Sequence, residues 1–173
     1  MTWEVTKDLI LDTVKSASSL ATDTNGKVIA GSNGYNLAVY SSGNAAVITT
    51  ANGLLTFGTT SPTLTIDKAG TYLIQSRVNQ YRNNASHIST HIITYRLRRT
   101  NNTASDIVNS ITSNTDEAHA ALTETEWIVD LPTIVYTTTN TNDTLEIWGV
   151  IDLTTSTGSH EATEANIVAQ KLS

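Results

Sequence analysis

Four histidines are the first residues to test for chemistry: His87, His91, His119 and His160. His87 and His91 are four apart, which on a helix would set both imidazoles on one face, as a zinc site requires. Their surroundings alternate in polarity as a strand does, and there four residues span about 13 Å, too far for one ion. The intervening Ile88-Ser89-Thr90 supplies no glutamate. All four are expected as surface or packed side chains. Paired carboxylates occur at Asp116/Glu117 and Glu124/Glu126. Glycoside hydrolysis needs two acids in one cleft with divergent pKa values, whereas these read as a solvated acidic loop. The run from Asn140 to Asp143 offers oxygen ligands of the kind calcium takes, but an ordinary Asx turn accounts for it. The sequence contains neither a Gly-x-Ser-x-Gly elbow nor a phosphate-cradling glycine loop. It has no cysteine, which excludes disulfides, thiolate metal ligands and cysteine nucleophiles. No catalytic, cofactor-binding or metal-binding residue is assigned, and no enzyme is expected.

The elements that must position these residues follow from composition. Of 173 residues, 31 are threonine, 16 serine and 15 asparagine, while 6 % are aromatic and 15 % charged. Threonine suits a half-exposed pleated surface, because its branched Cβ is stiff and its hydroxyl faces water. Long helices would need more Ala, Glu, Lys and Leu. One all-β domain with wet outer faces is expected. No run of 18 apolar residues exists to cross a bilayer as a helix, so no membrane partner is assigned. The start, Met1-Thr2-Trp3-Glu4, lacks the basic-then-apolar pattern of a secretory signal, so synthesis in a cytosol is expected.

Net charge is −6, unevenly distributed: all five arginines fall between Arg77 and Arg99, and residues 101–173 hold Lys171 as their one basic residue. A nucleic-acid binder carries a net basic domain, so no nucleic acid is expected as a partner. The basic middle and acidic end instead read as partners across strands or subunits, where opposite charges fix register.

Residues 1–34 read as an extended arm or small β-appendage. They contain the apolar run Leu9-Ile10-Leu11 and an Asn25-Gly26 hairpin signal. From residue 35 to 173 the chain reads as strands: 36–40, 45–50, 54–57, 63–66, 71–81, 88–99, 106–112, 126–138, 144–153 and 165–172. A polar loop is expected at 82–86. In 71–81, Tyr72, Ile74, Ser76 and Val78 share one face. Many short strands at regular spacing indicate a sandwich or jelly roll. Apolar residues off the core pattern imply that something covers a second face. Trp148, Val150, Ile134 and Tyr136 are read in this way as a subunit interface.

Leu64-Thr65-Ile66-Asp67-Lys68-Ala69-Gly70-Thr71-Tyr72-Leu73-Ile74 resembles the apolar strand, Gly-x-Tyr turn and central strand of the tumour necrosis factor and complement globular-head superfamily. Thr141-Asn142-Asp143-Thr144-Leu145-Glu146-Ile147-Trp148 is similar to that superfamily's later turn and strand, with Asn-Asp in place of the usual Gly-Asp. A strand running almost to Ser173 also fits. The resemblance covers about residues 45–173 and implies a ten-strand jelly roll, trimeric about a threefold axis, without a shared catalytic centre. The Thr/Ser-rich segment through Thr22-Asp23-Thr24-Asn25-Gly26 is similar in composition to the N-termini of bacteriophage fibre and capsid-surface proteins.

These likenesses imply a trimeric virion surface protein of the phage capsid decoration or cement kind. Trp3, Leu9 and Leu11 would anchor its arm to a major capsid protein or another virion protein. The alternative is a receptor-binding fibre or tail knob recognising host glycan or surface protein through a loop bearing Tyr81, Asn83 and Asn84. No cofactor is expected in either.

Overall fold

The computed structural model describes residues 20–22, 28–30, 36–87, 90–101, 103–117, 119–152 and 156–172. Of these, residues 20–22, 28–30, 36, 83–87, 119–124 and 156–158 are described by backbone alone. All regular structure among the described residues is strand. Within the expected arm, β1 (Leu20–Thr22) and β2 (Val28–Ala30) pair antiparallel as a two-stranded ribbon. The body follows with β3 (Asn36–Ile48), β4 (Gly53–Leu54), β5 (Thr63–Ile66), β6 (Gly70–His87), β7 (His91–Arg99) and β8 (Ser105–Asp106). It continues with β9 (Thr112–Asp116), β10 (His119–Asp130), β11 (Ile134–Thr138), β12 (Asp143–Asp152) and β13 (Ser156–Lys171).

These strands form two antiparallel sheets. Sheet I runs β10-β6-β13-β3, with β11 beside β10 on the same edge of β6; sheet II runs β4-β12-β7-β8, with β5 on β12 and β9 on β7. Period-2 alternation explains the packing. Tyr72, Ile74 and Val78 of β6 and Ile167 and Ala169 of β13 turn inward from sheet I. Ile93, Tyr95 and Leu97 of β7 and Leu145, Ile147 and Ile151 of β12 meet them from sheet II. Each large apolar side chain so buried contributes about 1.5–3 kcal/mol. Gly149 of β12 lies under this layer: a Cβ there would come within 3.1 Å of Leu55 and 3.5 Å of the Tyr95 ring. The result is a jelly-roll β-sandwich.

Several expected boundaries shift, each for a physical reason. The segments at 36–40 and 45–50 are one strand, β3, interrupted where three residues, Gly43 to Ala45, face only Thr163 of β13. Gly43 takes φ 128 there, open to glycine and strained for other residues. The stretch 126–138 is two strands, because Pro132 has no N–H to donate to the ladder. The stretch 106–112 is mostly a turn containing Asn109 at φ 62, and the strand lies later, in β9. The polar loop expected at 82–86 is strand: β6 continues to His87, held between β10 and β13. Ladder bonds from both sides outweigh the weak strand preference of asparagine and serine.

Candidate functional site

The outer face of sheet I is built by the residues that alternate with the core. β11 supplies Val135, β10 supplies Ile128 and Asp130, and β6 supplies Leu73, Gln75, Arg77 and Asn79. β13 adds Glu164, Asn166 and Val168, and β3 adds Ala38 and Tyr40. Strand register aligns them in rows, among them Asp130–Arg77–Asn166–Tyr40 and Ile128–Asn79–Glu164–Ser42. Ile128 and Val135 are each 65 % exposed and Tyr40 59 %. Polar contacts run across this face. Arg77 Nε donates to Asp130 Oδ1 at 2.6 Å, and Asn79 Nδ2 donates to Glu164 Oε2 at 2.8 Å. Glu164 also accepts a hydrogen bond from Tyr40, which holds the phenol above its ordinary pKa. Two shallow depressions of about 380 and 160 Å³ share Arg77 and Asn166, one reaching Thr133 and Val168, the other Tyr40 and Ile128.

The outer face of sheet II covers Trp148 and leaves Ile92 exposed. Arg98 lies 4.7 Å from the centroid of the Trp148 ring, and Trp148 Nε1 donates to Glu146 at 3.1 Å. Arg96 and Arg98 both reach Asp106, at 3.1 and 3.6 Å. With Arg77–Asp130 and Arg82–Asp116, four of the five arginines pair with the acidic part of the chain. The expected cross-strand meeting of basic middle and acidic end therefore occurs inside one chain.

Two carboxylates lie between the sheets. Asp116 ends β9 and is 1 % exposed, as is Arg82. Arg82 Nη1 donates to Asp116 Oδ1 at 2.5 Å and Nη2 donates to Thr125 at 2.7 Å, while its guanidinium sits 5.4 Å from the Trp127 ring centroid. His160 Nε2 is 2.8 Å from Asp116 Oδ2, so the imidazole carries its proton there and donates. His91 Nδ1 is 3.1 Å from the carbonyl of Asp152, which fixes a proton on Nδ1, and its ring lies 5.7 Å from that of His160. Burial lowers the His160 pKa; Asp116 pulls it up, and His91 and Arg82 push it down. At the opposite end, Asp143 is fully buried and accepts from Tyr136 at 2.6 Å, from Thr138, and from Asn140 at 3.3 Å. Burial, then Asp143, pushes the Tyr136 pKa up to about 12.

These positions revise the expected site residues. Ile134 and Tyr136 are 6 % and 8 % exposed and belong to the core; the outward residue between them is Val135. The strand's inward phase starts at Ile134, which removes both from a subunit contact. Trp148 and Val150 do lie on an outer face, half-buried, on sheet II. Trp3, Leu9 and Leu11 lie outside the described residues. Tyr81, Asn83 and Asn84 are in the middle of β6, beside β10 and β13, not on a loop. Asp116 is buried, not part of a solvated acidic loop, and the histidine pair that meets is His91 with His160. Asp143 is the carboxylate of the expected Asx turn, and its oxygens are taken by side-chain donors. Among the described residues no cluster of three or more His, Asp or Glu could hold a metal ion. The signal that could have located sheet I's outer face was present: Ile128, Val135 and Val168 are apolar residues in outward phase.

No family model matches the chain, and no curated protein matches it. Among solved structures, the T13 viral particle of infectious bursal disease virus aligns with TM-score 0.50 at 9 % identity, over 88 % of this chain and 35 % of that one. The globular domain of zebrafish complement 1qA protein aligns with TM-score 0.45 at 9 % identity, over 81 % and 98 % of the two chains. The Eiger TNF of S. frugiperda aligns with TM-score 0.40 at 12 % identity, over 89 % and 90 %. The chain thus spans about a third of the length of the viral chain it matches. At 9 % identity the likeness to the viral particle is one of fold alone.

Proposed function

We propose that this protein is a structural component of a virus particle, assembled as a homotrimer and decorating the capsid surface. The observation that carries the reading is the outer face of sheet I. Tyr40, Ile128, Val135 and Val168 lie exposed on one sheet face, beside the Arg77–Asp130 ion pair. Covering such a face removes apolar surface from water, and a second copy offers the same apolar groups. The viral-particle and complement relatives in fold lend support of the same kind. Sheet II is the weaker candidate, because Arg98 already shields Trp148. The arm, through Trp3, Leu9 and Leu11, is assigned to contact with a capsid subunit. Binding to the assembled shell in preference to its free subunits would stabilise the particle by linkage.

Sedimentation of the purified chain at micromolar concentration tests the assembly. Three copies are expected, and Ile128→Glu with Val168→Glu should give a monomer with unchanged far-ultraviolet circular dichroism. A wild-type monomer, or a trimer indifferent to both substitutions, would overturn the proposed face. Removing residues 1–19 should leave the trimer intact and abolish co-sedimentation with particles; retained particle binding would refute the anchoring role.

A further inference from the structure

We propose that Arg82, Asp116, His91 and His160 form an acid-released latch that ties the two sheets together at one end of the sandwich. The inference is independent of the assembly reading. Its basis is the juxtaposition of two cross-strand pairs. In sheet I, His160 of β13 is directly opposite Arg82 of β6; in sheet II, His91 of β7 is directly opposite Asp116 of β9. The pairs face each other through the core, with Asp116 bridging to Arg82 at 2.5 Å and to His160 at 2.8 Å. All four side chains are buried. Each of these bonds crosses from one sheet to the other.

Charge arithmetic makes the latch responsive. The four side chains hold one carboxylate, one permanent cation and two imidazoles. At neutral pH Arg82 and Asp116 cancel, and each neutral imidazole can donate the one hydrogen bond its partner accepts. In acid, a proton gained by His160 adds a positive charge beside Arg82, which shares the Asp116 carboxylate with it. Burying that added charge is costly, whereas water dissipates it. β10 contributes Thr125 and Trp127, β12 turns its Asp152 carbonyl inward while that residue is exposed, and β3 places Ile48 opposite His160. Glu117 and Glu161, next to Asp116 and His160 in sequence, alternate to the outer side of their strands.

Burial keeps His160 reluctant to protonate while the end is closed, and hydration on opening restores an ordinary imidazole with a pKa near 6.5. The closed form therefore has full stability above about pH 6.5 and loses it as pH falls toward the lower folded value. For a single proton the opening equilibrium rises by at most about tenfold per pH unit across that window.

The test combines imidazole titration by NMR with amide hydrogen exchange of the whole chain between pH 7.5 and 5. His160 should titrate below 6.5, and amides of β9 and the first residues of β7 should exchange progressively faster in acid than the intrinsic rate change allows. His160→Gln, which keeps an Nε2–H donor for Asp116 and cannot charge, should flatten that pH dependence. A folded His160 that titrates at or above 6.5, or a His160→Gln variant with the wild-type pH dependence, would overturn the latch. Should the variant fail to fold, the wild-type titration decides alone.

Discussion

The two buried carboxylates solve one problem in opposite ways. Asp116, at one end of the sandwich, is held by a guanidinium and an imidazole; Asp143, at the other, is held by a phenol, a hydroxyl and an amide. The first is an ionic solution, strong in the closed protein and dependent on the protonation of its partners. The phenol, hydroxyl and amide that hold the second are neutral donors, which carry no charge of their own to lose or gain in acid. Charge of the donor, not depth of burial, separates the two.

The largest expected effect breaks the ionic end. Asp116→Ala leaves the Arg82 guanidinium buried with its ion-pair partner gone, and urea unfolding should register a loss of about 3–5 kcal/mol. Replacing both partners by apolar residues, Arg82→Met with Asp116→Leu, should recover most of that loss, since neither member of the ion pair is then left in the interior. Next comes Asp143→Ala, which deprives a phenol, a hydroxyl and an amide of their acceptor and should cost about 1–3 kcal/mol in the same assay. A loss at Asp143 larger than at Asp116 would contradict the distinction drawn here.

Tyr136→Phe removes one donor from Asp143 and should cost about 1 kcal/mol. It should also change the alkaline limb of stability. The folded Tyr136 stays protonated up to about pH 12, while the unfolded tyrosine ionises near 10. Its contribution is thus complete below pH 10 and lost as pH rises through 12. Ultraviolet titration with parallel unfolding curves should show a shallower alkaline loss in the phenylalanine variant. The smallest effect belongs to Arg98→Ala, which uncovers the half-buried Trp148. It should cost under about 1 kcal/mol and shift tryptophan fluorescence to the red.

Much of the architecture was readable in the amino-acid order, and the exceptions are instructive. β7 and β12 alternate so regularly that Ile93, Tyr95, Leu97 and Leu145, Ile147, Ile151 announce their inward face. Segregated charge announced the cross-strand arginine pairs. The buried cluster stayed hidden because each member looks ordinary beside its neighbours. Asp116 precedes Glu117 in a polar run, and its interior partners, Arg82 and His160, lie 34 residues earlier and 44 later. Arg82 itself begins an asparagine-rich stretch whose strand form depends on β10 and β13 lying on either side. Ile134 and Tyr136 were misplaced for a simpler reason. Pro132 resets the strand, so the inward phase there cannot be counted on from Trp127.

The interruption at Gly43 bears on a hazard of a different kind. β3 is the outer strand of sheet I, thirteen residues long and without proline or any charged residue. Such an edge is a template on which another chain can add strand after strand, the route to insoluble fibres. The irregular backbone at Gly43 divides it into two shorter stretches and bends one away from the line of the other. An invading strand finds only a few consecutive bonds before its spacing fails. One glycine at that position thereby works against runaway polymerisation.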